Sequence, residues 1–533
     1  MLLTANGRRA LPPLPAGITW PAGVLFVTIG VLPLAWMVVV SFSAEGVFSF
    51  SHYAQIFGEP RIITLLGRSL GLAGGATFLA LIIGVLLAVL LDRTIFPGNR
   101  ICRVLYLVPL FIPPHVHGLA WISLLGEQGW MRTLPLFQSL PGLYSLWGAI
   151  GVLGLSYFPL VTLFALTSLH GMDRQIEEAA FLARPRWAVF WHITLPLLRP
   201  ALSGSVVFVG LLSFYNYGIP SMLRVSTFPV EIFTHFSALY DEAGASALSM
   251  PPVLCALVLL LWQQGMIYRA EQVTIHHAAR QPEIPVSSWL NILGGGVAWL
   301  LIGLSTLMPV AVLVFQAGYW PSYMAAWNTS HKEIISTVLT ATLAATLVVV
   351  VAYPLARSIC AATGWRRNLL DMISYLPFAF PATLLGIGLI HTWNQPQTEW
   401  LYTSTMILVI AWSAHFLAFA VRILVAGMRQ IEPHVLEAAC LCEPAWWRRL
   451  WRIELPLLGR AILTAWCVVC VFSLGELSTT LLVIPPGKGT ISLKIYTLMH
   501  YGAGPLVAAL SIILIGCSLL MASPLILVKR VRL

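Results

Sequence analysis

The chain has 533 residues, 58% of them apolar and 9% charged, against roughly 45–50% and 25% in ordinary soluble domains. Its 30 Lys and Arg and 20 Asp and Glu cannot cover several soluble domains, so a soluble enzyme, a disordered chain and a disulfide-built scaffold are excluded. The net charge of +10 informs only through the side on which each basic residue lies, because cations in membrane proteins sort by compartment.

A spanning helix needs about 20 apolar residues to cross about 30 Å of hydrocarbon. The sequence predicts twelve, in chain order at 21–42, 69–91, 104–125, 146–169, 201–222 and 243–268, then 292–315, 335–356, 372–393, 404–428, 461–482 and 505–528. The first is too long for a signal core and reads as a retained span. Charges fall between the spans, as their cost in hydrocarbon requires. Only Arg422, close enough to a helix end to snorkel, and Glu476 intrude. All but seven of the 30 basic residues (Arg61, Arg68, Arg132, Arg224, Lys332, Lys488 and Lys494) lie in loops on the side of the amino terminus. That asymmetry predicts both termini in the cytosol. The cysteines lie in apolar segments or cytosolic loops, so no external disulfide is expected. Cys467-Val-Val-Cys470 reads as helix packing rather than a redox pair.

The chain repeats itself at an interval near 260 residues. Asp173-Arg-Gln-Ile-Glu-Glu178-Ala179-Ala180-Phe-Leu-Ala-Arg184-Pro185-Arg-Trp187, ending Ile193-Thr-Leu195-Pro196, recurs as Glu432-Pro-His-Val-Leu-Glu437-Ala438-Ala439-Cys-Leu-Cys-Glu443-Pro444-Ala-Trp446, ending Ile453-Glu-Leu455-Pro456. Tyr106-Leu-Val-Pro109-Leu-Phe-Ile-Pro113 likewise matches Tyr375-Leu-Pro377-Phe-Ala-Phe-Pro381, and Arg93 with Gly98 matches Arg357 with Gly364. The expected fold is an all-α polytopic membrane protein of two tandem six-helix repeats, residues 1–268 and 289–533, joined by a cytosolic connector at 269–288. Repeats with an even number of spans insert in the same orientation, which gives a pseudo-twofold axis along the membrane normal.

The repeated cytosolic loops, 170–200 and 429–460, each predict a short helix-turn-helix bracket. Asp173 and Glu432 suit a helix start and Pro433 its first position. Glu-Ala-Ala favours helix, and Pro185 and Pro444 stop it. A second helix through Trp187, Phe190 and Trp191, or Trp446, Trp447 and Trp451, is expected to stop at Leu-Pro. Exposed Trp and Arg on a rigid element suit a docking surface, while tryptophans resting at headgroup level are the alternative.

A Glu-Ala-Ala, spacer, Ile-x-Leu-Pro pattern in a cytosolic loop resembles the permease subunits of ATP-binding-cassette importers, of type I architecture, and its duplication on one chain resembles the fused ferric-iron and thiamine permeases. The resemblance implies that coupling to a separate ATPase falls to Glu178, Ala179, Ala180, Pro185, Trp187, Leu195 and Pro196, and to Glu437, Ala438, Ala439, Pro444, Trp446, Leu455 and Pro456. It implies two ATPase chains and a periplasmic solute-binding protein as partners, a bacterial inner-membrane location, and no nucleic acid. The glycine that the family carries after Glu-Ala-Ala is Arg184 in the first loop and Glu443 in the second, so the two docking contacts are expected to differ. The chain has no phosphate loop of its own; Pro486-Gly487-Lys488-Gly489-Thr490 lacks the first glycine and lies outside. No cofactor is expected on this chain, ATP and Mg belonging to the ATPase, and the chain is not expected to be an enzyme.

Glu476, an intramembrane carboxylate, is a functional candidate by default. It either lines a substrate path, with Asn216 and Tyr217 as counterparts in the first repeat, or faces external water at a helix end. His115 and His117 in a proline-broken helix do not share a face, and no metal site is expected. Ferric iron is the solute that the resemblance favours, ahead of thiamine, polyamines and small oxyanions. A proton-coupled transporter of six plus six helices is the competing class, but Glu476 is its sole clear proton carrier.

Overall fold

Uncharged apolar runs become helices here because backbone in hydrocarbon must satisfy its hydrogen bonds internally. The computed structural model describes residues 14–44, 47–133, 142–172, 174–271, 288–443, 445–502 and 504–530. Among them ten helices are long and apolar enough to cross a membrane, and two sharply bent helix pairs raise the number to twelve if each pair is one crossing. The protein is thus an all-α polytopic membrane protein. The strands among the described residues are β1 (Ser43–Ala44) and β2 (Val47–Phe48), an antiparallel pair.

In the first repeat the helices that matter are α1 (Gly17–Val40), α2 (Pro60–Arg93), the bent pair α3 (Asn99–Phe111) and α4 (Pro114–Leu125), α5 (Leu146–His170), α6 (Arg174–Phe181), α7 (Trp187–Phe214), α8 (Gly218–Met222) and α9 (Glu242–Met266). The second repeat supplies α10 (Asn291–Ala317), α11 (Trp320–Ala361), the bent pair α12 (Gly364–Ala379) and α13 (Ala382–Trp393), α14 (Met406–Arg429), α15 (Pro433–Cys442), α16 (Trp446–Leu474), α17 (Thr480–Val483) and α18 (Gly504–Leu525). The long helices α2 and α11 have 34 and 42 residues, more than the roughly 20 a crossing takes.

The bends are the same device twice. A proline disfavours helix at the residue before it, and Ile112 (φ −98°, ψ 112°) and Phe380 (φ −99°, ψ 146°) are extended. Pro113 and Pro381 then open α4 and α13, and the pairs bend by 97° and 91°.

At four other prolines the chain takes a different course. Each of Val27–Val31, Phe190–Thr194, Gly303–Leu307 and Leu450–Glu454 is a π turn, followed at once by Leu32-Pro33, Leu195-Pro196, Met308-Pro309 and Leu455-Pro456. Proline offers no N–H and crowds the carbonyl four residues back; a π turn absorbs the misfit without ending the helix. The expected stop at Leu-Pro is therefore overturned, and α7 and α16 run without interruption from the bracket into the apolar span. The spans expected at 201–222 and 461–482 accordingly begin earlier and end at Phe214 and Leu474.

The chain forms two compact units that do not follow the repeat boundaries. Unit one is Met1–Glu59, Glu231–Val253 and Tyr319–Leu533; unit two is Pro60–Val230 and Leu254–Gly318. Each repeat's first helix thus belongs to the unit built on the other repeat. In unit one, α1 packs on α11 and α13, and Trp36 stacks on His391 with ring centroids 5.2 Å apart. In unit two, α10 is tied to α2 and its following turn: Asn291 accepts from the Ile95 N–H at 3.1 Å, and Trp299 Nε1 donates to Pro97 O at 3.2 Å. Residues 272–287, most of the expected connector, lie outside the described residues.

Small residues bring the core helices of unit two together, as expected where hydrocarbon gives helices no hydrophobic reason to associate. At Gly84 of α2 a Cβ would sit 2.5 Å from Val161 of α5, and Thr162 Oγ1 donates across the same contact to Gly84 O at 3.2 Å. Leu87, Leu91, Leu153, Phe158 and Ala165 complete this core. In unit one Trp412 of α14 is fully buried. Arg422 does not snorkel alone: it pairs with Asp371 and lies 4.0 Å from the centroid of the Tyr375 ring.

Candidate functional site

The first bracket is α6, a turn over Leu182–Arg184, and the start of α7. Helix α6 ends at Phe181, ahead of Pro185, which disfavours helix at Arg184, and Ala183 and Arg184 donate back to Ala180 O at 3.1 and 2.9 Å. Glu178 and Ala179 are exposed, and Ala180 is half-buried. The tip residue Leu182 is 91% exposed, with Trp187 and Trp191 exposed beyond it. Leu195 and Pro196 are half-buried where α7 leaves the bracket. Asp173 lies outside the described residues.

In the second bracket Pro433 takes the first turn of α15, as its locked φ allows, and Glu432 precedes it without a side-chain capping bond. Glu437 lies on α15, Ala438 is exposed and Ala439 is buried. Leu441, the repeat counterpart of Leu182, is 85% exposed, and Trp446, Trp447 and Trp451 are exposed on α16. Leu455 is half-buried and Pro456 exposed. Pro444 lies outside the described residues. The positions that lack glycine do not require it: among the described non-glycine residues positive φ occurs only at Arg224 and Tyr240, so neither Arg184 nor Glu443 is left-handed.

Each bracket is rooted by a buried carboxylate that composition and spacing did not single out. Glu177 of α6, 2% exposed, pairs with Arg93 at the end of α2 at 2.5 Å and accepts from Thr194 Oγ1 at 2.6 Å. Arg93 also meets Asp92, which reaches His170 at the end of α5. In unit one Glu454, 3% exposed, accepts from Tyr353 OH at 2.7 Å and pairs with Arg357 and Arg449, each at 3.3 Å. Two such carboxylates, each in the loop of its own repeat, are visible only once the loops are aligned.

The expected path residues lie at a second pair of breaks, where the fifth span of each repeat stops. Asn216 accepts from the Ile219 N–H at 2.9 Å and so caps α8, while its amide reaches Tyr157 OH at 3.4 Å. Tyr217 beside it is buried. In unit one Glu476 does the same work with more acceptors: its oxygens take the N–H groups of Thr479 and Thr480 at 2.8 and 2.9 Å and the Thr480 hydroxyl at 2.7 Å. Trp412 Nε1 donates to that hydroxyl at 3.0 Å, and Thr479 Oγ1 donates to Ala382 O at the start of α13 at 3.3 Å. Glu476 is 7% exposed, so it does not stand in open water. His115 and His117 are buried on α4, and among the described residues no group of three or more His, Cys, Asp or Glu could hold a metal ion.

Residues 355–533 match the family described as binding-protein-dependent transport system inner membrane component. The chain is 26% identical over 494 residues, 89% of its length and 91% of the relative's, to the Fe(3+)-transport system permease protein FbpB 2 of Haemophilus influenzae. It is 26% identical to the thiamine transport system permease protein ThiP of Salmonella typhimurium over 75% of this chain and 77% of that one. It is 31% identical to the molybdenum transport system permease protein ModB of Escherichia coli over 202 residues, which are 36% of this chain and 88% of ModB.

Proposed function

Because this chain belongs to the family of binding-protein-dependent transport system inner membrane components, we propose that it forms the whole translocation pathway of an ATP-driven importer, with two coupling brackets on one chain. The observation that carries this is the pair of repeated brackets, each presenting a nearly bare leucine, Leu182 or Leu441, a few residues before a helix, α7 or α16, that runs unbroken into a span. A bare leucine flanked by tryptophans is poorly placed in water and well placed in a partner's groove. A pull on the tryptophan-bearing arm of the bracket passes along α7 or α16 into the membrane without leaving the helix.

Two brackets call for two ATPase chains, which hold the ATP and Mg. A periplasmic binding protein would deliver solute to the opposite face, and both termini would lie in the cytoplasm, as the arginine distribution favours. Ferric iron is the proposed solute, on the strength of the FbpB relative that matches nearly the whole chain. The path would pass the paired breaks at Asn216, Tyr217 and Glu476, since non-helical backbone at membrane depth is tolerated where it is buried in protein or lines a cavity.

The experiment is purification of the chain with its ATPase, native mass spectrometry for stoichiometry, and uptake of radiolabelled ferric iron from external binding protein into vesicles that enclose ATP or lack it. Two ATPase chains per permease and ATP-dependent uptake support the assignment. Uptake that follows a proton gradient and ignores ATP would replace it with a secondary transporter.

A further inference from the structure

The tie at the root of each bracket uses the same arginine but a carboxylate from a different place. Arg93 and Arg357 correspond between the repeats, both close to the end of a long core helix. Besides its neighbour Asp92, Arg93 meets Glu177, on the first helix of its bracket. The carboxylate that meets Arg357 is Glu454, on the second. Aligned by the Glu-Ala-Ala and Leu-Pro pattern, Glu177 falls opposite Leu436, and Glu454 falls opposite Thr194.

Both vacated positions are buried. Leu436 is buried at 3% exposure, and Thr194 donates to the very carboxylate that stands in for its counterpart. The charge has moved from one bracket helix to the other while the ion pair has been kept. A buried arginine without its carboxylate is strongly unfavourable. Two independent solutions around one arginine point to the tie itself, not the residue at either position, as what the protein needs.

We propose that Arg93 and Arg357 are positioning residues that lock each bracket to its long core helix, so that movement of the bracket is delivered to α2 and α11 as well as to α7 and α16. This rests on the coupling role proposed above and adds a second route for force into each unit. The two ties are also unequal: the first grips α6, which carries Glu178-Ala-Ala, and the second grips the π turn that opens the span of α16. Among the described residues, no charged side chain of the second bracket helix α15 is in the tie.

Cys360 offers a native reporter, half-buried on α11 three residues beyond Arg357. The test uses membranes holding the full chain with its ATPase, with maleimide reactivity at Cys360 read by peptide mass spectrometry with and without ATP. The wild-type chain should show at least a twofold ATP-dependent change. Glu454→Thr should abolish that change per molecule of permease in the membrane, with the ATPase still retained. Leu436→Glu with Glu454→Thr, which copies the first bracket's arrangement into the second, should restore it. A role in folding alone would lower the amount of protein and leave the ATP response per molecule intact.

If ATPase is retained and Glu454→Thr responds like the wild type, or the wild type shows no response, or the double variant does no better than Glu454→Thr, the tie proposal is wrong and the coupling role stands. If the wild-type chain retains no ATPase, the coupling role itself fails.

Discussion

Replacing Glu476 by Ala separates a structural carboxylate from one that handles solute. The side chain accepts two backbone N–H groups and one hydroxyl within the membrane, so its removal strips α17 of its cap and orphans buried donors. A lost cap is worth about 1 kcal/mol and a lost hydrogen bond to a charged group about 1.5–3 kcal/mol. Together they predict a loss near 3 kcal/mol, read as a fall on the order of 5 °C in the unfolding midpoint of detergent-purified protein. Asn216→Ala removes one backbone acceptor bond and a long amide contact, so it should cost about 1 kcal/mol. Glu476→Gln keeps one acceptor oxygen and should fall between. Unfolding followed by tryptophan fluorescence across the three variants gives the order. A Glu476→Ala protein as stable as wild type but unable to take up iron would refute the capping account and make the carboxylate a solute contact.

Other variants test the packing and the brackets. Gly98 has φ +83°, and a Cβ there would meet the Trp299 ring at 2.6 Å, so Gly98→Ala should destabilise unit two by about 2–5 kcal/mol from strain and overpacking together. Gly364→Ala, at φ +56° with open space around it, should cost only about 1–2 kcal/mol; the two thermal midpoints check the ranking. Leu182→Asp and Leu441→Asp act on bare side chains and should each weaken ATPase retention in pull-down while leaving the quantity of permease in the membrane unchanged. Substituting Glu178 and Glu437 together by Ala should abolish uptake at normal membrane levels; retained uptake would remove both residues from the coupling role.

Local chemistry made some of this legible in the sequence. Span positions follow from apolar length, and both bends follow from Pro113 and Pro381, because a proline acts on its own neighbours. The bracket turns were readable at Pro185 for the same reason. Leu195-Pro196 and Leu455-Pro456 misled as stop signals, because a proline one residue into a helix is also compatible with continuation when a π turn precedes it. The exchange of α1 and α10 between the two units has no local signature: nothing in an apolar helix states which neighbour it packs on. Glu476 read as an isolated charge because its partners are backbone amides three and four residues on, which the sequence does not display as ligands. Glu177 sat inside a helix-favouring run and Glu454 beside a Leu-Pro, and neither looked buried. Only the comparison of Glu177 and Thr194 with Leu436 and Glu454 carried the signal, and it becomes meaningful once Arg93 and Arg357 are seen between them.

The most direct measurement of whether both brackets seat in an ATPase uses thiols at their tips. Cys442 is exposed beside Leu441, and Ala183→Cys places a matching thiol beside Leu182, at a position that is also exposed. Maleimide labelling of both sites in membranes should proceed quickly on the permease alone and fall at least tenfold at each when the ATPase is bound. Equal labelling at both tips with and without bound ATPase would mean that neither bracket is the contact, and the importer mechanism described for this chain would be wrong.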